Sequence, residues 1–391
     1  MPMSSPRQVL LLTEESGVGG VQTTLHWLES GLAARGWHVT RLPVRRGRPS
    51  LWACWQAARR AQVLVASNNF RPAYAAVALA WLARRPSVVW VHGPLQEVLQ
   101  QAGASRLKTG WLRTVYQRAS QLVCASQTSC DSLVRVMTDA GGEAASAIQS
   151  RLSVIRNPAV LPGAGEGDAV MPTTMPVSEV IALGFVGRLS PEKQPLQLLT
   201  MLRLLPAACQ LHVVGDGELM GAMRSAGQDL LTQGRLHLHG QQTVSAQTYQ
   251  AWRATVLCSR YEGYPMTALE SLACGVPCVS TPIPAMQEML GTTAPLWLAH
   301  DDSPAALAQA VQRCLAQAPA DRQAAIDLLQ QQHRLETFVQ AWDQVLTGLL
   351  QRRGKGEKPG QRQGQRQGPR QGHGAVPTDA SREDNPSGGR P

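Results

Sequence analysis

The chain has 391 residues, 43% of them hydrophobic, enough for two domains of ordinary size and too apolar for a fibrous or wholly disordered protein. Its net charge of +10 divides into +11 over residues 1–120, −6 over 121–351 and +5 over 352–391, so the first part is expected to face something anionic. No apolar run approaches the roughly 18 residues of a spanning helix, and the start (one Arg, a short apolar run, two acids) is a poor signal peptide; a cytoplasmic chain with reduced, buried thiols is expected.

In chain order, strands are expected at 8–13, 38–43, 62–67, 87–92, 121–126 and 152–156, with helical stretches at 21–35, 71–83 and 110–119 between them. Several strands are continuous apolar runs, as when both faces of a parallel sheet are covered. The order βαβα predicts a doubly wound α/β domain over 1–160. Residues 161–178 are rich in Pro and Gly and read as a linker. The alternation restarts over 179–350, with strands expected at 180–186, 210–215, 235–239, 254–259, 276–281 and 296–299 and a last helical pattern at 335–350. Residues 351–391, a Gly/Gln/Arg-rich stretch without an apolar face, are expected to be disordered.

Three motifs of the second domain converge. Gly184-Phe-Val-Gly187-Arg188-Leu-Ser-Pro-Glu-Lys193 ends a strand in Gly-Arg and brings a second cation to a helix start, a pairing suited to a diphosphate. Gly215-Asp216-Gly217 follows the next strand but lacks the full dinucleotide-loop glycine pattern, with Met220 where the third glycine would stand. In Cys258-Ser-Arg-Tyr-Glu262-Gly-Tyr264-Pro-Met266-Thr267-Ala-Leu-Glu270, a helix starting near Pro265 leaves Glu262 in the loop and Glu270 over a turn inside. The amides of Tyr264, Met266 and Thr267 then face the same space as the two carboxylates.

These residues resemble the E-x7-E signature of retaining glycosyltransferase family 4, with Gly187-Arg188 and Lys193 similar to its phosphate-binding turn and Gly215-Asp216-Gly217 similar to its Gly-Asp-Gly turn. The resemblance covers nearly the whole chain to Leu350. It implies the GT-B fold: two Rossmann-like domains facing across a cleft. It also implies that Arg188 and Lys193 hold the donor diphosphate, Glu262 meets the transferred sugar and Glu270 the ribose. The family often has Phe-Gly where this chain has Tyr264-Pro265. In place of its Gly-rich turn before a further Glu, this chain has Thr281-Pro-Ile-Pro-Ala-Met-Gln-Glu288. The Gly17-Val-Gly19-Gly20 loop is similar to the glycine loop at the cleft of GT-B enzymes, and Gly19, Gly20 and Gly217 are assigned to the donor side. His92, at a strand end beside Gly93, is an active-site candidate.

No Asp-x-Asp, phosphate-loop, nucleophile-elbow or zinc pattern occurs. The resemblance implies hexosyl transfer from a nucleotide sugar, UDP being the expected nucleotide, and with no metal motif present the transfer is expected to be metal-independent, with no further cofactor. Seven of the ten Trp lie in residues 1–111 beside the +11 charge. The segment with Arg106, Lys108, Trp111, Arg113 and Arg118 reads as an acceptor-side surface touching an anionic membrane, at the inner face of the cell membrane. The expected acceptor is a saccharide or lipid-linked saccharide, as in lipopolysaccharide, exopolysaccharide or glycolipid synthesis. Two rivals are a nucleotide-sugar epimerase of the same architecture, which would convert donor alone, and a non-catalytic membrane- or nucleic-acid-binding protein. No nucleic-acid-binding motif supports the last.

Overall fold

A computed structural model describes residues 7–14, 20–44, 51–138, 148–161 and 180–354. Gly19, residues 162–178 of the expected linker and 355–391 of the expected tail lie outside the described residues.

The first sheet has six parallel strands: β1 (Arg7–Glu14), β2 (Trp37–Val44), β3 (Val63–Ala66), β4 (Ser87–Val91), β5 (Gln121–Cys124) and β6 (Leu152–Val154), in the order β2-β1-β3-β4-β5-β6. Both faces are covered, so successive residues enter different cores. Leu10, Leu12, Leu64, Val89 and Val91 face helices Arg71–Ala83, Arg106–Arg118 and Gln127–Thr138. Val9, Leu11, Val63, Val65 and Trp90 face helix Gly20–Ala34.

That second face is completed from the far end of the sequence. Helix Leu335–Gly354 lays Phe338, Val339, Trp342, Leu346 and Leu349 against it. A Cβ at Gly31 would collide with Val339, so glycine permits the close approach of this helix to Gly20–Ala34. Asp343 accepts hydrogen bonds from Trp37 Nε1 (2.7 Å) and Arg7 Nη1 (3.2 Å), fixing the register. The helix continues four residues past the expected order–disorder boundary at 350.

The second sheet has five parallel strands: β7 (Ile181–Val186), β8 (Cys209–Val214), β9 (Leu236–Gly240), β10 (Ala254–Leu257) and β11 (Cys278–Ser280), in the order β11-β10-β7-β8-β9. The strand expected at 296–299 is instead a 3₁₀ turn, Pro295–Trp297, followed by a single bridge from Leu298 to Ser280. Pro295 cannot donate to a ladder, and the fully buried Trp297 is held by its Nε1 on Gln317 Oε1 at 3.0 Å. All eight cysteines are unpaired and buried. Among the described residues, no helix is long and apolar enough to cross a membrane.

Candidate active site

Parallel sheets present their carboxyl ends on one edge, and the turns there build the site. The turns after β7 and β8 are bonded backbone to backbone: Gly187 N to Val214 O and Leu189 N to Asp216 O, both 3.0 Å. Gly215 has φ +139, and a Cβ there would strike the Gly187 carbonyl; one at Gly217 would meet the Leu189 carbonyl. The Gly217 amide is taken by Asp216 Oδ1 at 2.7 Å. Gly217, assigned to the donor from sequence, therefore serves the packing of two turns. Beyond Gly187, Arg188 is exposed, and among the described residues its guanidinium makes no hydrogen bond or ion pair.

Lys193 and Glu262, 69 residues apart, form an ion pair with both side chains mostly buried. Ser259 Oγ donates to the same carboxylate oxygen, Oε1, at 2.6 Å. Oε2 has no such partner among the described residues and remains an acceptor for a ligand hydroxyl. The 3₁₀ turn carrying Lys193 is docked on this loop by Arg260 N to Glu192 O at 2.7 Å.

The loop leads into helix Met266–Ala273, capped by Pro265 in extended conformation. Its first intrahelical bond is Leu269 N to Pro265 O, so the amides of Met266, Thr267 and Ala268 lack an intrahelical partner and carry the positive end of the helix dipole. Thr267 Oγ1 donates to Val186 O at 3.1 Å, setting this helix start one residue from Gly187-Arg188. Glu270 lies inside the helix among Ala268, Leu269 and Leu272. Burial raises its pKa, and the hydrogen bond from Tyr249 OH (2.8 Å) opposes that rise. The Tyr264 phenol turns inward instead, onto His333 Nε2 at 2.5 Å. His333 Nδ1 lies 2.7 Å from the Leu329 carbonyl and must donate to it, so Nε2 accepts. Tyr264 thus anchors the end of helix Pro319–Gln332, of which His333 is the C-cap.

The first domain closes on the same loop. A Cβ at Gly263 would run into the His92 carbonyl and Gly93, and Ser126 Oγ donates to Gly263 O at 2.6 Å. A Cβ at Gly20 would strike Met266, so the start of helix Gly20–Ala34 meets the start of Met266–Ala273. His92 Nε2 donates to the Ser67 carbonyl at 2.8 Å, and its ring lies 4.3 Å from that of Trp90. Burial pushes its pKa down to about 4, so near neutral pH the imidazole is uncharged and offers the Nδ1 lone pair as an acceptor.

Glu288 spans the domains. It accepts from Gln127 N (3.0 Å) and Thr128 N (3.1 Å) at the start of helix Gln127–Thr138, and from Arg156 Nε at 2.9 Å. It caps a helix beside the cleft.

The segment expected on the acceptor side forms helix Arg106–Arg118. Arg106, Lys108, Trp111 and Arg118 are exposed. Arg113 is not free: its Nε donates to Val136 O at 2.5 Å and caps the end of helix Gln127–Thr138. The tryptophan-rich half also divides, with Trp27, Trp37 and Trp90 in the core and Trp52, Trp81 and Trp111 outside.

Replacing Gly263 with Ala is expected to destabilise the protein by about 1–3 kcal/mol, because the new methyl must displace backbone rather than a flexible side chain. A melting temperature equal to the parent's would mean that the loop does not bear on His92.

Two Rossmann-like domains of parallel strands, closed on each other through the 259–266 loop, constitute the GT-B fold. Residues 181–317 match the family model described as glycosyl transferases group 1. Over 143 residues, the chain is 32% identical to a lipopolysaccharide 1,6-galactosyltransferase of Escherichia coli, covering 34% of this chain and 37% of the relative. It is 33% identical over 103 residues to the Salmonella typhimurium protein of the same description, covering 25% and 29%. These matches thus span only about 37% and 29% of those relatives' lengths. Among solved structures, Anabaena Alr3699/HepE in complex with UDP and glucose superposes with a TM-score of 0.69 at 18% identity, covering 88% of this chain and all of that one.

Proposed function

We propose that this protein is a retaining glycosyltransferase that moves a hexosyl unit from a nucleotide sugar, UDP being the expected nucleotide, to an acceptor hydroxyl. The observation that carries the reading is the convergence at one cleft of a cation without a partner among the described residues, Arg188, a Lys193–Glu262 pair and a helix start with free amides. The group 1 family match over 181–317 covers the same residues and supports it.

On this reading, Arg188, Lys193 and the amides of Met266 and Thr267 stabilise the negative charge that grows on the leaving diphosphate. Glu262 orients the sugar through its free oxygen, and Glu270 accepts from the ribose diol. His92, neutral, accepts a hydrogen bond from a sugar hydroxyl through Nδ1. The acceptor attacks from the face the diphosphate leaves, and a diphosphate oxygen takes its proton, so no side chain becomes covalently attached. The similarity to lipopolysaccharide galactosyltransferases supports a role in lipopolysaccharide or glycolipid synthesis, with the acceptor held by the first domain at the inner membrane face.

The site's own cations handle the phosphates, so transfer is expected to persist in excess EDTA. Complete loss, restored by Mg²⁺ or Mn²⁺, would contradict the assignment of Arg188 and Lys193 to the diphosphate. Retention is tested by the anomeric coupling of the product in proton NMR. An inverted linkage would overturn the front-side route.

A further inference from the structure

Helices Leu51–Arg60, Arg71–Ala83 and Arg106–Arg118 cover one side of the first sheet. Residues 51–120 carry nine Lys and Arg but one acid, Glu97, and that acid is bonded to Ser132. The three exposed tryptophans of the chain are all here, Trp52 (68% exposed), Trp81 (72%) and Trp111 (62%), joined by Leu82 (54%) and Leu107 (86%).

Two hollows lie between helices Arg71–Ala83 and Arg106–Arg118. The one at the cleft end, about 520 Å³, is apolar, walled by Phe70, Tyr74, Leu99, Leu107 and Trp111 with Lys108 at its rim. The one at the opposite edge of the sheet, about 590 Å³, is cationic, formed by Arg84, Arg85 and Arg118 beside Trp81, Ser87 and Ser120. Arg84 sits at φ +52, where a helix end favours glycine, and Arg85 Nε is buried with no hydrogen-bond partner among the described residues. Burial lowers the Arg85 pKa most, and the nearby cations Arg353 and Arg59 lower it further. Cations gathered without a carboxylate, one of them with an unsatisfied donor, call for an external anion.

Exposed indoles and leucines among arginines suit a lipid interface. Nucleic acid offers nothing to an apolar hollow or to Leu82 and Leu107. A second copy related by a two-fold would set this face against itself, cation on cation.

We propose that this three-helix face docks on an anionic bilayer, with lipid phosphates at Arg84, Arg85 and Arg118 and the Trp81 and Trp111 indoles at the boundary between headgroups and acyl chains. The apolar hollow at the cleft end then opens into lipid. The docking stands without the transferase reading; only its consequence, that a lipid-linked acceptor reaches the cleft from this side, rests on it.

The test is cosedimentation of the full chain with vesicles of phosphatidylcholine alone and of phosphatidylcholine with phosphatidylglycerol, with stabilisation by UDP measured in parallel. Binding to anionic vesicles only, released by salt, is expected. Changing Arg84, Arg85 and Arg118 together to Ser should lower partitioning at least about tenfold. Trp81→Ser with Trp111→Ser should also weaken it, and since both side chains are exposed this variant serves if the first does not fold. UDP stabilisation should be unchanged in both. Arg362, Arg366 and Arg370 changed to Gln should leave binding at the parent level. Equal binding to neutral vesicles, parent-level binding by the folded arginine or tryptophan variant, or loss on changing the tail arginines alone would overturn the proposal. Vesicle binding without UDP stabilisation would count against the transferase reading and leave the docking standing.

Discussion

Arg188→Ala is expected to lower turnover by about 10²- to 10³-fold, the usual effect of removing one donor aimed at developing charge, and to leave the melting temperature unchanged. The separation follows from the side chain's position. Arg188 is exposed, and among the described residues it has no hydrogen-bond or ion-pair partner, so nothing in the fold depends on it. Lys193 does not offer so clean a test. Its ammonium pairs with Glu262, and its removal would leave a mostly buried carboxylate held by Ser259 alone. Steady-state rates with donor and acceptor, beside a thermal melt, check the prediction. A variant that turns over like the parent would remove Arg188 from the reaction.

Glu270→Ala is expected to weaken nucleoside diphosphate binding by about 10- to 150-fold if the carboxylate holds a ribose hydroxyl, the range for a lost hydrogen bond to a charged group. It also strips the fully buried Tyr249 hydroxyl of its acceptor, so some loss of stability should accompany it. Glu270→Gln keeps an acceptor for Tyr249 and separates the two effects: stability recovers and affinity does so only in part. Because burial raises the Glu270 pKa, the carboxylate takes up a proton at higher pH than an exposed glutamate. Nucleotide affinity should therefore fall on acidification sooner than an ordinary glutamate would dictate. Calorimetric titration with UDP reads both effects, and unchanged affinity in the Ala variant would take Glu270 out of the site.

Much of this was legible from local pattern. Short runs rich in apolar residues, several of them continuous, located all eleven strands to within two residues at each end, because a parallel strand buried on both faces needs particular residue types along its length. Strand β11 fell inside a longer expected run, trimmed by Pro277. The spacing of Glu262 and Glu270 across Pro265 was readable in the same way. What spacing could not show is pairing at a distance. Nothing near Lys193 names Glu262 as its partner, and nothing near Glu270 names Tyr249. Arg113 looked like its neighbours on the helix, yet it alone reaches the Val136 carbonyl. The tryptophans divide by strand and helix face, which puts Trp90 in the core and Trp81 in solvent. Glu288, the glutamate without its glycine turn, turned out to bridge the domains through Arg156 and a helix start.

The most direct measurement is release of nucleoside diphosphate from a panel of nucleotide sugars by the parent and by a variant with Arg188 and Lys193 both changed to Ala. The parent should consume at least one donor with release of its nucleoside diphosphate, and the folded variant should release almost none. A parent that neither binds nor consumes any nucleotide sugar, one that converts a donor without releasing nucleoside diphosphate, or a variant as fast as the parent would contradict a diphosphate-sugar site built on these residues.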